Sequence, residues 1–385
     1  MVAGAVVSPE ELSELGRRSG LDAVGFAPAS PFEDTRRHLE ERKAAGLHGG
    51  MHFTYGNPAR STDPARSLPG ARSLVVGARG YRRSAEEAPP GPWGQVARYS
   101  WADEYAVLRR ALGAVADRLI AHGWAARALV DDNALVDREA AYRAGLGWYG
   151  KNTLLLLPGR GSWFILGSVV TDAPLPPAPA PVADGCGSCT RCLSGCPTGA
   201  LVAPGVLDAR RCLAWLLEAP GWFPRQYRRA LGNRIYGCDE CQEVCPPNRR
   251  EDRHHPAPPA GDDAEPWVDL VELLAMADDE LMHRFGRWYV PRRQPRYLRR
   301  NALVALGNCG DPADTRVVNA LRGALADPDP LLRGHAVWAA SALGRTDLVD
   351  AVAAAESDPE VVEEIAASRV GVAPVIVGLR AGGRA

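Results

Sequence analysis

Residues 186–197 read CGSCTRCLSGCP, and residues 238–246 read CDECQEVCP. The first run is Cys-x2-Cys-x2-Cys-x3-Cys-Pro, the spacing with which bacterial ferredoxins ligate 4Fe–4S clusters. Three thiolates so spaced wrap one face of a cubane, and the fourth, followed by Pro197, points away to a second cluster. The second run is the same motif without its first cysteine, and Cys212 is the nearby thiol that fills the gap. The crossover then gives two sets. Cys186, Cys189 and Cys192 join Cys245, while Cys196, Cys212 and Cys238 join Cys241. Structural zinc favours paired Cys-x2-Cys units with no third cysteine and no trailing proline, and disulfides are rare in cytosolic chains. Two 4Fe–4S clusters are the expectation. Cys309, alone in ALVALGNCGD, reads as a small buried hydrophobe at a helix end.

The rest of the chain is too long for a bare electron carrier. Its 385 residues allow two or three domains with real cores. A net charge of -1 excludes a globally basic nucleic-acid binder, so any such contact needs a local patch. No apolar run approaches the length of a membrane span, and MVAGAVVSPEELSELGRRSG lacks a signal-peptide core. A cytoplasmic protein is expected. DAPLPPAPAPVADG (172–185) and PNRREDRHHPAPPAGDDAEP (247–266) read as linkers.

Upstream of the cysteines, RAGLGWYGKNTLLL (143–156) contains a literal G-x-G-x-x-G. A dinucleotide turn needs a strand before the glycines and a helix after them. The order here is reversed. ALVDREAAYRAG reads as a helix closed by Gly145, and NTLLLLPGRGSWFILGSVVTD reads as two strands of a hairpin around PGRG. The glycines therefore need another role.

Taken together, these stretches resemble a known family. CGSCTRCLSGCPTGA, LDARRCLAWLLE (207–218) and GNRIYGCDECQEVCPPN (232–248) look like the iron–sulfur domain of epoxyqueuosine reductases. LVDDNALVDREAAYRAGLGWYGKNTLLL is similar to that family's helix and Gly-Leu-Gly-Trp turn, and GSWFILGSVVTDAPLP continues the likeness. RSLPGARSLVVGARGY (66–81), VARYSWADEYAVLRRAL (96–112) and PRYLRRNALVALGN (295–308) match more loosely. The chain departs from the family pattern at Ala106, Ala134, Ala214, Leu217 and Pro247.

The resemblance implies reduction of epoxyqueuosine to queuosine at the wobble position of tRNA, with cobalamin reduced through the two clusters. It implies Asp131 as the proton donor, and cobalamin contacts from Arg60, Arg98, Asp131, Thr153, Ser162 and Gln242. A carboxylic acid can donate near neutral pH only if burial or a neighbouring carboxylate raises its pKa. The alternative for Asp131 is a helix N-cap. The glycines of GLGWYG either let backbone approach a flat corrin or simply cap packed elements. The implied partners are the tRNA anticodon region and an external electron donor such as flavodoxin or ferredoxin, acting on a monomer. The alternatives are a related cobalamin/iron–sulfur reductase of reductive-dehalogenase type and a ferredoxin-like electron carrier.

Toward the C-terminus LRRNALVALG (298–307) recurs as LLRGHAVWAA (331–340), an interval of 34 residues that echoes Ala302 in Ala336 and Ala305 in Ala339. With a DP turn in each unit (Asp311-Pro312, Asp327-Pro328) this suggests HEAT-like helix pairs. The tail after Ser368 has weak periodicity. RFGRWYVPRRQPRYLRRN (284–301) carries seven arginines and four aromatic residues ahead of the repeats. Arg292, Arg293 and Arg296 sit around two prolines and are expected to meet tRNA phosphates. The other reading is a solvated face paired with local carboxylates. The expected fold is α+β and multidomain: an N-terminal α/β cobalamin-binding catalytic domain (1–175), a bacterial ferredoxin-like two-cluster domain (176–250) and C-terminal HEAT-like α-helical repeats (265–385).

Overall fold

A computed structural model describes residues 7–178 and 180–370. Among them are eleven strands: β1 (Ala23–Pro28), β2 (Ser73–Gly80), β3 (Trp93–Val96), β4 (Ala126–Val130), β5 (Trp148–Tyr149), β6 (Leu155–Leu156), β7 (Phe164–Thr171), β8 (Leu201–Ala203), β9 (Val206–Leu207), β10 (Arg234–Tyr236) and β11 (Trp267–Asp269).

The N-terminal sheet has the order β1-β2-β7-β4, antiparallel at every pairing. Its central strands, SLVVGARG and FILGSVVT, are rich in β-branched and small residues. They are buried on both faces along most of their length, as suits a sheet covered on both sides. Helix Glu104–Ala121 covers one face, because Leu108, Leu112, Val115 and Leu119 recur at helical spacing and pack on Val75 and Val169. Phe32, Ala134, Leu135, Ala140 and Ala141 close the other face against Leu74, Val76 and Val170. The GLGWYG glycines follow helix Asp137–Arg143 and lead into β5, the reverse of the strand-then-helix order that a dinucleotide turn needs, so that reading is excluded.

The expected hairpin around PGRG is rearranged. β6 pairs with β5 instead of β7, in register Trp148↔Leu156, and β7 joins the large sheet. A single bridge, Leu157↔Gly161, closes the turn between them. The second expected linker is also partly structured: Pro246–His254 is a helix with proline in its first turn, a position where proline costs no backbone hydrogen bond.

β3 is the middle strand of a second sheet, β10-β3-β11, running parallel to β10 and antiparallel to β11. Its three strands come from three distant stretches of chain. Val96, Trp101, Ile235 and Tyr236 thereby enter the same core as Leu270, Leu273, Phe285, Trp288 and the repeat helices.

The repeats run as Arg296–Cys309, Thr315–Leu325, Pro330–Ala342, Thr346–Ala353 and Pro359–Val370. The echoed alanines, Ala302 with Ala336 and Ala305 with Ala339, are fully buried where the helices meet. Asp314 and Asp329 accept from the first-turn N–H groups of their helices. Cys309 ends its helix as expected but is exposed, not buried. The tail beyond residue 370 lies outside the described residues. Among those described, no helix is long and apolar enough to cross a membrane.

Candidate functional site

The eight clustered cysteines fall into two neighbourhoods. The thiol of Cys245 lies in the field of Cys186, Cys192 and Cys189. The thiol of Cys241 lies in that of Cys238, Cys212 and Cys196. Among the described residues no three His, Cys, Asp or Glu close on a point where a single ion could sit. Burial pushes the Cys245 thiol up to about 11 and that of Cys238 to about 12, so a positive centre is needed to hold them as thiolates. The backbone N–H of Ala200 already donates to Cys196 Sγ at 3.2 Å. This donor set fits two 4Fe–4S clusters.

The second set of cysteines backs onto a recess that the N-terminal domain completes. β4 ends at Val130, and Asp131 follows with φ +53, a conformation that a residue with a side chain adopts at a cost of order 1–3 kcal/mol. Asp132 Oδ1 accepts from the Ala134 N–H, turning the chain toward helix Asp137–Arg143. Asp131 is therefore no helix N-cap. Burial raises its carboxyl pKa, Arg109 opposes that, and the charge of Asp132 adds to it. Burial and then Asp131 push Asp137 well up. Glu218, at the end of helix Leu213–Glu218, is raised to about 7, chiefly by burial and further by Asp131. Tyr99 donates to it at 3.1 Å.

Asp137, Glu218, Tyr99, Tyr105, Cys212 and Cys241 all keep accessible surface, although the protein behind them strips enough water to disfavour their ionised forms. Groups on a concave wall behave this way. Such a recess, with cluster cysteines beside acids whose burial favours the protonated form, fits a large redox macrocycle.

The remaining expected cofactor contacts fall into two groups around this recess. Gln242 Nε2 donates to Ser162 Oγ at 3.1 Å and to Tyr81 Oη at 3.0 Å, and Asn248 Nδ2 donates to the same Ser162 Oγ at 3.0 Å. Arg98 stands beside them, with its guanidinium 4.6 Å from the Trp163 ring centre and 2.9 Å from Glu243. Ser162 and Gln242 are thus buried network members. Arg60 and Thr153 flank the Asp131 loop. The Ser61 carbonyl, next to exposed Arg60, accepts from the Val136 N–H at 2.9 Å, and the Thr153 carbonyl accepts from Arg138 at 3.3 Å. The sequence reading missed Tyr99, Tyr105, Asp137 and Glu218. Glu218 carried one signal, a lone acid closing the apolar run LAWLL.

The GLGWYG glycines answer to the chain itself. Gly145, at φ +68, ends helix Asp137–Arg143. A Cβ on Gly147 would stand 2.1 Å from the Leu156 carbonyl oxygen. Pairing of β5 with β6 explains Gly147 without a corrin.

The basic segment is largely neutralised. Arg284 pairs with Glu265 and Glu272, Arg296 with Asp329 and Arg299 with Asp278. Arg287 donates to the Ser100 and Trp101 carbonyls. Arg300 is buried and ends helix Leu213–Glu218 by donating to Leu216, Leu217, Ala219 and Gly221 carbonyls. Trp288 and Tyr297 are core residues. Arg292 and Arg293 remain exposed, both with positive φ, beside Tyr289, which is 57% exposed. Arg296 is thus removed from the expected phosphate set by its aspartate.

Residues 61–132 match the profile of the epoxyqueuosine reductase QueG family, residues 185–248 that of a 4Fe-4S double cluster binding domain, and residues 291–369 that of HEAT repeats. An epoxyqueuosine reductase of Bacillus cereus is 36% identical over 90% of this chain and 92% of its own. A crystal structure of epoxyqueuosine reductase with an epoxyqueuosine-modified tRNA-Tyr stem loop superposes with a TM-score of 0.84 at 33% identity, covering 93% of this chain and 97% of that one. The Bacillus subtilis enzyme, solved with its catalytic aspartate loop swung out of the active site, gives 0.83 at 33% identity over the same shares.

Proposed function

The chain belongs to the epoxyqueuosine reductase family, and from that premise we propose that it reduces epoxyqueuosine to queuosine at the wobble position of tRNA. The observation that carries the reading is the exposed Asp131 loop, held at positive φ, whose carboxylate acts on Glu218, which in turn acts on the cluster cysteine Cys212. In a solved structure of the Bacillus subtilis relative the catalytic aspartate loop is swung out of the active site.

Removing an epoxide oxygen to leave an alkene takes two electrons and two protons and releases water. Cobalamin, when bound, supplies a strongly reducing cobalt centre, and the 4Fe–4S clusters supply one-electron storage beside it. The residues that would hold cobalamin are Arg98, Ser162 and Gln242 on one side of the recess and Arg60, Asp131 and Thr153 on the other. Burial raises the Asp131 carboxyl pKa and so favours its protonated form, the form that can give a proton to the departing oxygen. Burial, and the charge of Asp131 after it, likewise raise the carboxyls of Asp137 and Glu218. Arg292, Arg293 and Tyr289 are the exposed groups of the basic segment suited to the RNA backbone and an unpaired base. The protein acts as a cytoplasmic monomer and takes its electrons from an external carrier.

Two of the family departures do not open onto the recess. Ala134 and Leu217 are buried in cores, so they alter packing behind the site instead of its lining. The test is conversion of an epoxyqueuosine-containing anticodon stem loop by anaerobically loaded protein, read as loss of one oxygen from the nucleoside by mass spectrometry. Absence of conversion with full iron and cobalamin overturns the assignment.

A further inference from the structure

The first set of cysteines faces the other way. Cys192 and Cys245 are buried, while Cys186 and Cys189 keep accessible surface. These outer two line an open hollow of about 810 Å³ walled by the 185–191 loop, Pro246 and Arg253. A cluster held by this set would lie against that hollow, behind Cys186 and Cys189.

The rim is basic in a chain whose net charge is -1. Arg191 and Arg253 line the hollow, Arg249 and Arg250 are exposed on the helix that carries Arg253, and none of the four forms an ion pair among the described residues. Arg249 donates only to the Glu243 carbonyl. Lys151 Nζ donates to the Gly187 carbonyl at 2.6 Å, bringing a fifth positive charge to the cysteine loop. Nearby acids are already committed. Glu251 and Asp252 pair with Arg82, and Glu243 pairs with Arg98. Asp184, which accepts from the Cys186 N–H at 2.9 Å, is the one acid of the rim outside those pairs.

We infer that this hollow is the docking surface for a small acidic one-electron carrier protein. The inference rests on the proposed function, which needs electrons from outside the chain. Un-neutralised charge ringing a partly exposed redox ligand loop steers a partner of opposite sign and holds it where electrons can cross. Each docking gives one electron and leaves the carrier oxidised by one, so two successive dockings balance the two-electron removal of one oxygen. Among the described residues that line the hollow none is aromatic, which separates it from the surface around Tyr289.

The experiment uses the cluster-loaded full chain and a flavodoxin in its hydroquinone state. Arg250→Glu/Arg253→Glu is chosen because both residues lie clear of the cysteine ligands, and iron content checks that both clusters remain. Complex formation is followed by titration, and cluster reduction by stopped-flow bleaching, at several ionic strengths. The expected result is an association weakened roughly tenfold or more and a flattened salt dependence. Reduction by the small methyl viologen radical cation stays at the wild-type rate. Wild-type affinity and salt dependence in the variant overturn the inference. So does a variant that docks flavodoxin normally but loses tRNA stem-loop binding, which would assign the rim to RNA. Failure to convert epoxyqueuosine with viologen as reductant strikes the functional assignment alone, because docking is read without turnover.

Discussion

Tyr99 Oη donates to Glu218 Oε1 at 3.1 Å, joining the segment after β3 to the helix that follows Cys212. The carboxyl it reaches is raised to about 7, by burial first and by the charge of Asp131 as well, with Tyr99 and Tyr236 opposing. Tyr105 and the Cys212 thiol share the same field. A carboxyl whose folded pKa exceeds its unfolded value stabilises the fold while protonated. That contribution is full below the ordinary glutamate value of 4.5 and is lost as pH rises to about 7. Wild-type holoprotein should therefore lose on the order of 1–3 kcal/mol more than Glu218→Gln across that window. Urea midpoints at either end decide it, and parallel curves for the two proteins would mean that Glu218 titrates as a free carboxyl.

Asp131→Asn should keep both clusters and bind cobalamin, yet lose 10²–10⁴-fold in turnover, roughly the contribution of a general acid. Single-turnover assays with the modified stem loop separate this from a binding defect. An unchanged rate in the loaded variant would remove Asp131 from the chemistry.

Cys212 and Cys245 belong to opposite sets. Cys212→Ser and Cys245→Ser should each retain about half of the roughly eight irons of the intact protein, and electron paramagnetic resonance should show a different surviving cluster in each. Full iron in Cys212→Ser would break the second set.

Gly147→Ala places a methyl group on the Leu156 carbonyl. It should cost on the order of 1–3 kcal/mol or more through separation of β5 from β6, seen as a lower unfolding midpoint. Wild-type stability combined with lost cobalamin affinity would instead return this glycine to the cofactor.

Arg292→Ala/Arg293→Ala should weaken stem-loop binding and reduce the log–log salt slope by roughly 0.7–0.9 for each phosphate left unpaired. Arg296→Ala should leave that slope alone and loosen the repeats, because its partner is Asp329 at 2.8 Å. Filter binding across a salt series distinguishes them, and a slope that moves only with Arg296 reverses the assignment.

Ligand chemistry made the cysteines readable, since a cubane dictates their spacing along the chain. Helical periodicity did the same for Ala302 and Ala336, whose burial depends on neighbours in one repeat. Pairings across long separations left no such trace. Tyr99 and Glu218 are 119 residues apart, and Arg296 meets an aspartate 33 residues on, so a dense run of arginines looked free when most were spoken for. Helix Pro246–His254 was hidden because its opening prolines read as a linker, although they suit a helix start. Cys309 is hydrophobic in type, but its place at the end of a helix leaves it in solvent.

β3 ties the molecule together in a way that limits how it can be cut. A chain ended before Trp267 keeps every cysteine of the two cluster sets, yet it bares the β3 edge that β11 covers. It also exposes Val96, Trp101, Ile235 and Tyr236 to water. An unpaired edge above an uncovered apolar floor invites strand addition from a second chain. The helical repeats, which look like an appendage in the order of the sequence, serve the redox centre as a lid that keeps it from aggregating.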